Sequence, residues 1–263
     1  MKATNLAIWS LVALFAAGFT SCKKDDIKIT EPHMTLTTTK NMGEIISLWI
    51  YADNEDRSDL WIDLNNNGIQ DSGEAVTKFD GHKNYTLGAQ TITIYGKVKT
   101  LHCNETKLKA LDVSKNSALI VLKCQDNKIS TLNLSNNTEL TQLWCHRNQI
   151  TTLDVSKSTK LIDLRCDDNQ ITSLNVSNNP KLEDLWCHGN QLSTLDVSKN
   201  TVLEMLLCNN NSIYGSNMTA LVNSLPTCNA GNEGNFYVVN RDGDGNVCTP
   251  TQVNIAKNKN WNV

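Results

Sequence analysis

Leu140-Thr-Gln-Leu143-Trp-Cys145-His-Arg-Asn148-Gln-Ile150, Leu161-Ile-Asp-Leu164-Arg-Cys166-Asp-Asp-Asn169-Gln-Ile171 and Leu182-Glu-Asp-Leu185-Trp-Cys187-His-Gly-Asn190-Gln-Leu192 are three copies of one phrase. Their cysteines belong to a set of six, Cys103, Cys124, Cys145, Cys166, Cys187 and Cys208, spaced 21 residues apart. Around each Cys the apolar residues recur at fixed offsets; for Cys145 they are Leu140, Leu143, Ile150, Leu153 and Val155. A fixed period of this length, with the same positions always apolar, implies a solenoid. No single copy buries its apolar side alone, so copies stack at about 4.8 Å into one continuous core. The second half of each copy, such as Leu153-Asp-Val155, echoes the first. That echo predicts a strand or strand-like stretch on both sides of a narrow coil.

The pattern Leu-x-x-Leu-x-Cys-x-x-Asn-x-Ile/Leu resembles the leucine-rich repeat, in its short 21-residue bacterial class where Cys replaces a core Leu. The resemblance implies an asparagine ladder at the bend of each rung, made by Asn148, Asn169, Asn190 and Asn211. The first rung departs from it with Thr106, as terminal repeats do. The cysteines then read as small core residues. Stacked in register they point the same way instead of converging on an ion, although adjacent rungs are near enough for a bridge to form. The expected fold class is a β-rich solenoid: leucine-rich repeats over 98–213, a small antiparallel β domain over 34–97 and an α/β cap over 214–263.

The N-terminus bears on location. Met1-Lys2 precedes an apolar run from Leu6 to Phe19, too short for the roughly 20 residues of a membrane span. It ends in Phe19-Thr20-Ser21-Cys22 and is followed by Lys23-Lys24-Asp25-Asp26. This resembles a bacterial lipoprotein cleavage box with the charged tether of Bacteroidota surface lipoproteins; Phe19 stands where Leu is usual. The resemblance implies a signal peptide over 1–21, lipidation at Cys22, a tether over 22–33 and a surface-exposed place at the outer membrane. The membrane contact would be through lipid alone, since stable anchoring takes more than one acyl chain. An ordinary secretory signal with a chance Cys is the alternative.

Between tether and repeats, Met34–Thr39, Glu44–Tyr51, Asp59–Leu64 and Thr86–Tyr95 are β-branched and aromatic with partial alternation, and predict four strands. This module is expected to cover the open end of the solenoid, as repeat arrays require. Within it, Asp63, Asn65, Asn67, Ile69, Asp71 and Glu74 fit the twelve-residue calcium-loop template, with Gly68 at its sharp turn. Calcium prefers oxygen ligands, and Ile69 would offer its carbonyl. Three carboxylates imply weak affinity, on the order of 10⁻⁴–10⁻³ M. Asn67-Gly68 is equally a strong hairpin-turn signal that needs no ion. No cofactor is required; calcium is the one candidate.

The outward positions of the repeat carry its individuality. The residue before each Cys runs His102, Lys123, Trp144, Arg165, Trp186, Leu207, and the residue after it Asn104, Gln125, His146, Asp167, His188, Asn209. Trp144, Arg165 and Trp186 therefore form a column beside His146, Asp167 and His188, with Asp163 and Asp184 one position further. Trp and Arg are enriched in binding hot spots. Cross-strand stacking alone is the plain alternative. A metal held by His146, Asp167 and His188 is geometrically conceivable; a polar ladder is the simpler reading. On the other side, Asp112, Asn133, Asp154, Asn175 and Asp196 alternate charge with amide, which avoids stacking like charges and reads as solubility.

After Ile213 the repeat stops. Residues 217–225 predict a short helix ended by Pro226, 235–239 a strand, 242–246 a turn, and 249–261 a final helix capped by Thr249. Cys228 and Cys248 lie outside the repeat and, in an exported chain, form a candidate disulfide. A net charge of −3 gives no basic footprint for nucleic acid. No nucleophile elbow, phosphate loop or zinc signature is present, and none of the five His sits in a catalytic setting. The expectation is a non-catalytic surface module that binds a protein through the strand face. The alternatives are a glycan-capturing lipoprotein, with Trp144 and Trp186 stacking on sugar rings, and, remotely, an enzyme.

Overall fold

The computed structural model describes residues 32–239 and 243–263. The expected signal peptide over 1–21, the expected lipidation site Cys22 and the expected tether as far as residue 31 lie outside the described residues. The described chain is a β-solenoid of leucine-rich repeats. Six three-residue strands stack parallel and in register: β6 (Thr100–His102), β8 (Val121–Lys123), β9 (Gln142–Trp144), β10 (Asp163–Arg165), β11 (Asp184–Trp186) and β12 (Met205–Leu207). Each central Leu points inward and is fully buried, while its two flanks face outward. The Cys that ends each strand is a fully buried free thiol. Burial pushes these thiols well up, and Cys124 reaches about 12.

The strands stop at the cysteines because the chain bends there. The residue two past each Cys is left-handed, with φ from +49° at Arg147 to +62° at Gly189. Asn148, Asn169, Asn190 and Asn211 span this bend. The amide of Asn169 donates to the carbonyls of Cys145, Cys166 and Asp167 at 3.1 Å each, and its Oδ1 accepts from Ile150 N at 2.9 Å. Every rung from the second to the sixth repeats the pattern, so backbone groups that have no strand partner are nevertheless paired. The ladder is longer than the four residues expected. Asn127 begins it, bridging to Cys103 O at 2.9 Å and receiving Leu108 N at 2.8 Å. Asn246, which belongs to the C-terminal segment and not to a repeat, ends it by donating to Cys208 O and Val238 O at 2.8 Å.

The second side of the coil differs from expectation. Only β7 (Leu108–Asp112) is a strand there. Later rungs share one backbone bond each, such as Gln170 N to Ile150 O at 2.9 Å. A second, fully buried polar ladder of Asn116, Asn137, Ser158, Asn179 and Asn200 replaces the strands. Asn179 Nδ2 donates to Val155 O and Ser158 O, and Asn200 Nδ2 to Val176 O and Asn179 O. The Asp/Asn alternation also has a more specific role than solubility. Asp154 Oδ1 accepts Ser156 N at 2.9 Å and Asn175 Oδ1 accepts Ser177 N at 3.0 Å, so each closes the turn two residues on. Carboxylate and amide oxygens do this equally well, which is why the two alternate freely.

Both ends of the solenoid sheet are continued by non-repeat strands. At the N-terminal edge β2 (Ile45–Tyr51) pairs antiparallel with β6, and β4 (Lys83–Thr86) pairs with β2. A second antiparallel sheet runs β3 (Trp61–Asp63), β5 (Thr91–Tyr95), β1 (His33–Thr38), β7. The single strand expected over 86–95 is two, because residues 87–90 turn at Gly88, whose N donates to Leu64 O at 2.9 Å. A Cβ at Gly88 would press against Asn65. At the other end β13 (Gly234–Tyr237) and β14 (Trp261–Asn262) extend the parallel sheet, flanked by α1 (Gly215–Ser224) and α2 (Pro250–Lys257). Thr249 caps α2 in a capping box with Gln252. The final helix stops short of the expected 261, since Trp261 is buried as part of β14, with Nε1 donating to Pro226 O. Cys228 and Cys248 are free thiols, a correction to the expected pair. Cys228 Sγ lies 4.0 Å from Leu203 O beside β14, whereas Cys248 belongs to the neighbourhood of Cys208.

Replacing Asn169 by Ala leaves Ile150 N without a partner and takes one of two donors from each of Cys145 O, Cys166 O and Asp167 O, and is expected to cost about 1–3 kcal/mol. Asp154→Asn keeps its turn acceptor and should change stability by less than about 0.5 kcal/mol. Urea unfolding midpoints compare the two; equal losses would refute this ranking.

Candidate functional site

Register on the solenoid sheet aligns one outward residue from each strand. The row runs Trp49, His102, Lys123, Trp144, Arg165, Trp186, Leu207, Tyr237. The Trp144–Arg165–Trp186 column read from the repeat is thus the centre of an eight-strand row. Its two outer members come from non-repeat strands, where no periodicity marks them. Aromatic character at Trp49 and Tyr237 was the only available signal.

The centre is a stack. Arg165 lies between the indoles, with Cζ 4.2 Å from each ring centroid. Lys123 Nζ sits 3.5 Å from the Trp144 centroid. Lys123 and Arg165 come from the rungs on either side of Trp144, so the indole is flanked by two cations. Each such contact contributes about 0.5–1 kcal/mol when partly exposed. Beneath the stack Asp163 is only 5% exposed. It accepts Trp144 Nε1 at 2.7 Å on one oxygen and Arg165 Nε at 3.1 Å on the other. This pairing resolves an otherwise unfavourable register in which Asp163 lies directly across from Asp184. Asp184, facing that charge, has its pKa raised by burial first and by Asp163 second.

Trp186 repeats the Trp144 position but not its bond. The residue one rung on that would receive its Nε1 is Met205, and Trp186 Nε1 is buried without a partner. At the N-terminal end, Trp49 packs edge-on to His102 with centroids 4.5 Å apart. Burial, followed by Lys123 and His82, pushes His102 down to about 4, so this part of the row is uncharged at neutral pH.

The neighbouring row holds His146, Asp167 and His188. Asp167 is 4% exposed, and its Oδ2 lies 3.6 Å from His188 Nε2. Burial raises the Asp167 pKa against the attraction of His188 and then His146, and lowers that of His146 against the attraction of Asp167. Exposed Arg147 bridges Asp126 at 3.4 Å and Asp168 at 3.7 Å above this row.

The loop from Asp63 to Glu74 lies apart from both rows. Asp63 is 1% and Glu74 4% exposed. Asp63 accepts Asn67 N at 3.0 Å and Gly68 N at 2.8 Å; Glu74 accepts Leu64 N at 2.7 Å and Asp71 N at 2.8 Å. Asp71 is turned toward the amides of Asn65 and Asn67, at 2.7 and 2.8 Å. Asn66 and Gly68 take φ of +58° and +77°, which fold the loop back on itself. The side-chain oxygens of Asn65 and Asn67 point along the loop, where they accept Asn67 N and Ile69 N.

No family model and no curated protein matches the sequence. Among solved structures the chain is similar to the functional domain of InlJ from Listeria monocytogenes, which includes a cysteine ladder. That match has 38% identity and a TM-score of 0.45, over 49% of this chain and 30% of that one. It is also similar to the internalin InlF from the same organism, at 23% identity and a TM-score of 0.42, over 49% of this chain and 38% of that one. A leucine-rich repeat protein of Leptospira interrogans matches at 19% identity and a TM-score of 0.42, over 56% of this chain and 37% of that one. The matched part therefore spans about a third of the length of these three chains.

The unequal hydrogen bonding of the two indoles yields a paired expectation. Trp144→Phe keeps the aromatic face but strands a buried oxygen of Asp163, and should cost about 1–3 kcal/mol. Trp186→Phe removes a donor that has no partner and should cost distinctly less. Thermal and urea unfolding measure both; an equal cost would count against the roles assigned to Asp163 and Met205.

Proposed function

We propose that this chain is a non-catalytic interaction module, anchored at the bacterial outer-membrane surface through lipid on Cys22, that binds a protein across the row from Trp49 to Tyr237. The observation that carries this reading is the interleaved stack of Trp144, Arg165 and Trp186 held from below by Asp163. Trp and Arg are the residues that dominate protein interfaces when held rigid and half-buried. Their rotamers are fixed by the stack, so little side-chain entropy is lost on binding. Eight strands at about 4.8 Å give a row of roughly 34 Å, enough for a standard interface of about 800 Å² per partner. Mixed charge surrounds it, with Lys123 and Arg165 among Asp184, Glu183 and Glu204. This favours a partner of mixed polar surface over a polyanion.

Glycan capture is the second reading. Sugar rings bind by stacking on open indole faces. Arg165 covers a face of each indole and Lys123 packs against Trp144. A sugar would have to displace these cations, so the stack favours protein.

The Asp63–Glu74 loop we read as a weak calcium site that stiffens the N-terminal strands. Support comes from the burial of Asp63 and Glu74 at the first and last ligand positions. Because backbone N–H groups already satisfy these carboxylates, the loop closes without an ion and calcium adds a modest increment.

Two measurements test these readings. Protein and glycan arrays are probed with the intact chain, with Arg165→Ala, and with Trp144→Ala plus Trp186→Ala. A protein ligand should lose about 30-fold in affinity, or ~2 kcal/mol, with Arg165→Ala. Under the glycan reading, Arg165→Ala uncovers both indoles and strengthens sugar binding, while the double variant abolishes it. For the loop, melting in millimolar calcium and in chelator should differ by a few degrees, and Asp63→Asn should erase the difference. Identical melting curves for the intact chain would refute calcium binding.

A further inference from the structure

The row one residue beyond the cysteines contains a run of buried polar atoms without hydrogen-bond partners. Gln125 Oε1, His146 Nδ1, Asp167 Oδ1 and His188 Nδ1 are all buried and have no hydrogen-bond partner. They belong to four successive rungs. The inner ladder has a like run at Asn116, Asn137, Asn179 and Asn200 Oδ1, but only the outer row also brings an imidazole and two carboxylates together.

The strongest part of that row is at its C-terminal half. Asp167, Asp168 and His188 each bring a ligand-type atom to within 4.8 Å of the others. His188 Nε2 and Asp167 Oδ2 are 3.6 Å apart. This is too long for a good hydrogen bond. It is close to the separation of two ligands on one tetrahedral ion, about 3.4 Å for bonds of ~2.1 Å. Asp167 is held rigidly, since it is 4% exposed and sits on the bend fixed by the asparagine ladder. Asp168 comes close because the next rung has Gly189 at the corresponding position. Any Cβ at Gly189 would collide with Asp168 Oδ1, so glycine there is what makes room for this carboxylate. The rung before has Arg147 at the same place, which also contacts Asp168, at 3.7 Å, from an exposed position.

We propose that Asp167, Asp168 and His188, with His146 beside them, form a surface binding site for a divalent transition-metal ion of the zinc class. One imidazole with carboxylates suits zinc, cobalt or nickel better than calcium or magnesium, which prefer oxygen alone. The ion lies between rungs and leaves at least one coordination position open to solvent. The site adjoins the Trp144–Arg165–Trp186 row, so an ion there also places positive charge beside the proposed protein-binding face. It does not depend on that face being used.

Cobalt(II) titration of the purified chain, followed by absorbance and by competition with zinc, tests this site. The expected result is one equivalent bound, with ligand-field bands of a nitrogen/oxygen site and no thiolate-to-cobalt band. His188→Ala and Asp168→Asn should each weaken binding at least tenfold. Asp168 is exposed, so its variant leaves the fold intact, as circular dichroism should verify. Absence of binding, a thiolate band from Cys228 or Cys248, or an affinity in both variants unchanged from that of the intact chain would overturn the assignment.

Discussion

The hydrogen bonds of the bend asparagines are the constraint on which the rest depends. A parallel strand of three residues must turn out of its sheet, and at the turn its carbonyls and amides lose their ladder partners. In water that loss is minor; against a core of Leu and Cys it costs about 1–3 kcal/mol per group. One Asn side chain answers it with donors to three carbonyls on two rungs and an acceptor for one backbone N–H. The left-handed residue two past each Cys is part of the same solution. It is adopted by Glu105, Asp126, Arg147, Asp168 and Asn210, side chains that prefer other regions, because the ladder over-determines it.

This arrangement explains why the ladder does not end with the repeats. The last repeat asparagine, Asn211, leaves the carbonyl of Cys208 and the N–H of Ile213 facing the end of the stack. Asn246 supplies what is missing, from a segment with no repeat pattern. Trp261 covers the core from β14 nearby. The C-terminal segment therefore continues the hydrogen bonding of the solenoid as well as covering its apolar end. The N-terminal edge is closed differently. There β2 reverses direction and pairs antiparallel with β6, so the sheet gains a strand that no parallel rung could extend by the same route.

With rungs locked in register, any outward position becomes a row, and the chemistry of a row is set by what neighbours it at one rung's distance. Trp144 and Trp186 occupy equivalent places. One has Asp163 a rung away and is hydrogen-bonded; the other has Met205 and is not. Arg165 serves both indoles and the buried carboxylate at once. The row is accordingly a set of mutually oriented groups, and its rigidity is the property most relevant to recognition.

The sequence by itself determined the solenoid, its 21-residue rung, the inward Leu and Cys positions, the core of the asparagine ladder and the Trp–Arg–Trp column. All of these repeat at one spacing, and a periodic pattern reports its own neighbours. It also held the second polar ladder, in the Asn and Ser residues thirteen past each Cys, but these look like surface residues until the turn that buries them is known. Tertiary structure alone decided what joins the repeats from outside. Trp49 and Tyr237 enter the row, Asn246 enters the ladder, and β2 and β13 pair with the first and last rungs, because pairing partners far apart in sequence leave no local trace. It likewise decided that Cys228 and Cys248 remain apart and that the indoles enclose a guanidinium. Those outcomes depend on side-chain direction and packing, which spacing does not encode.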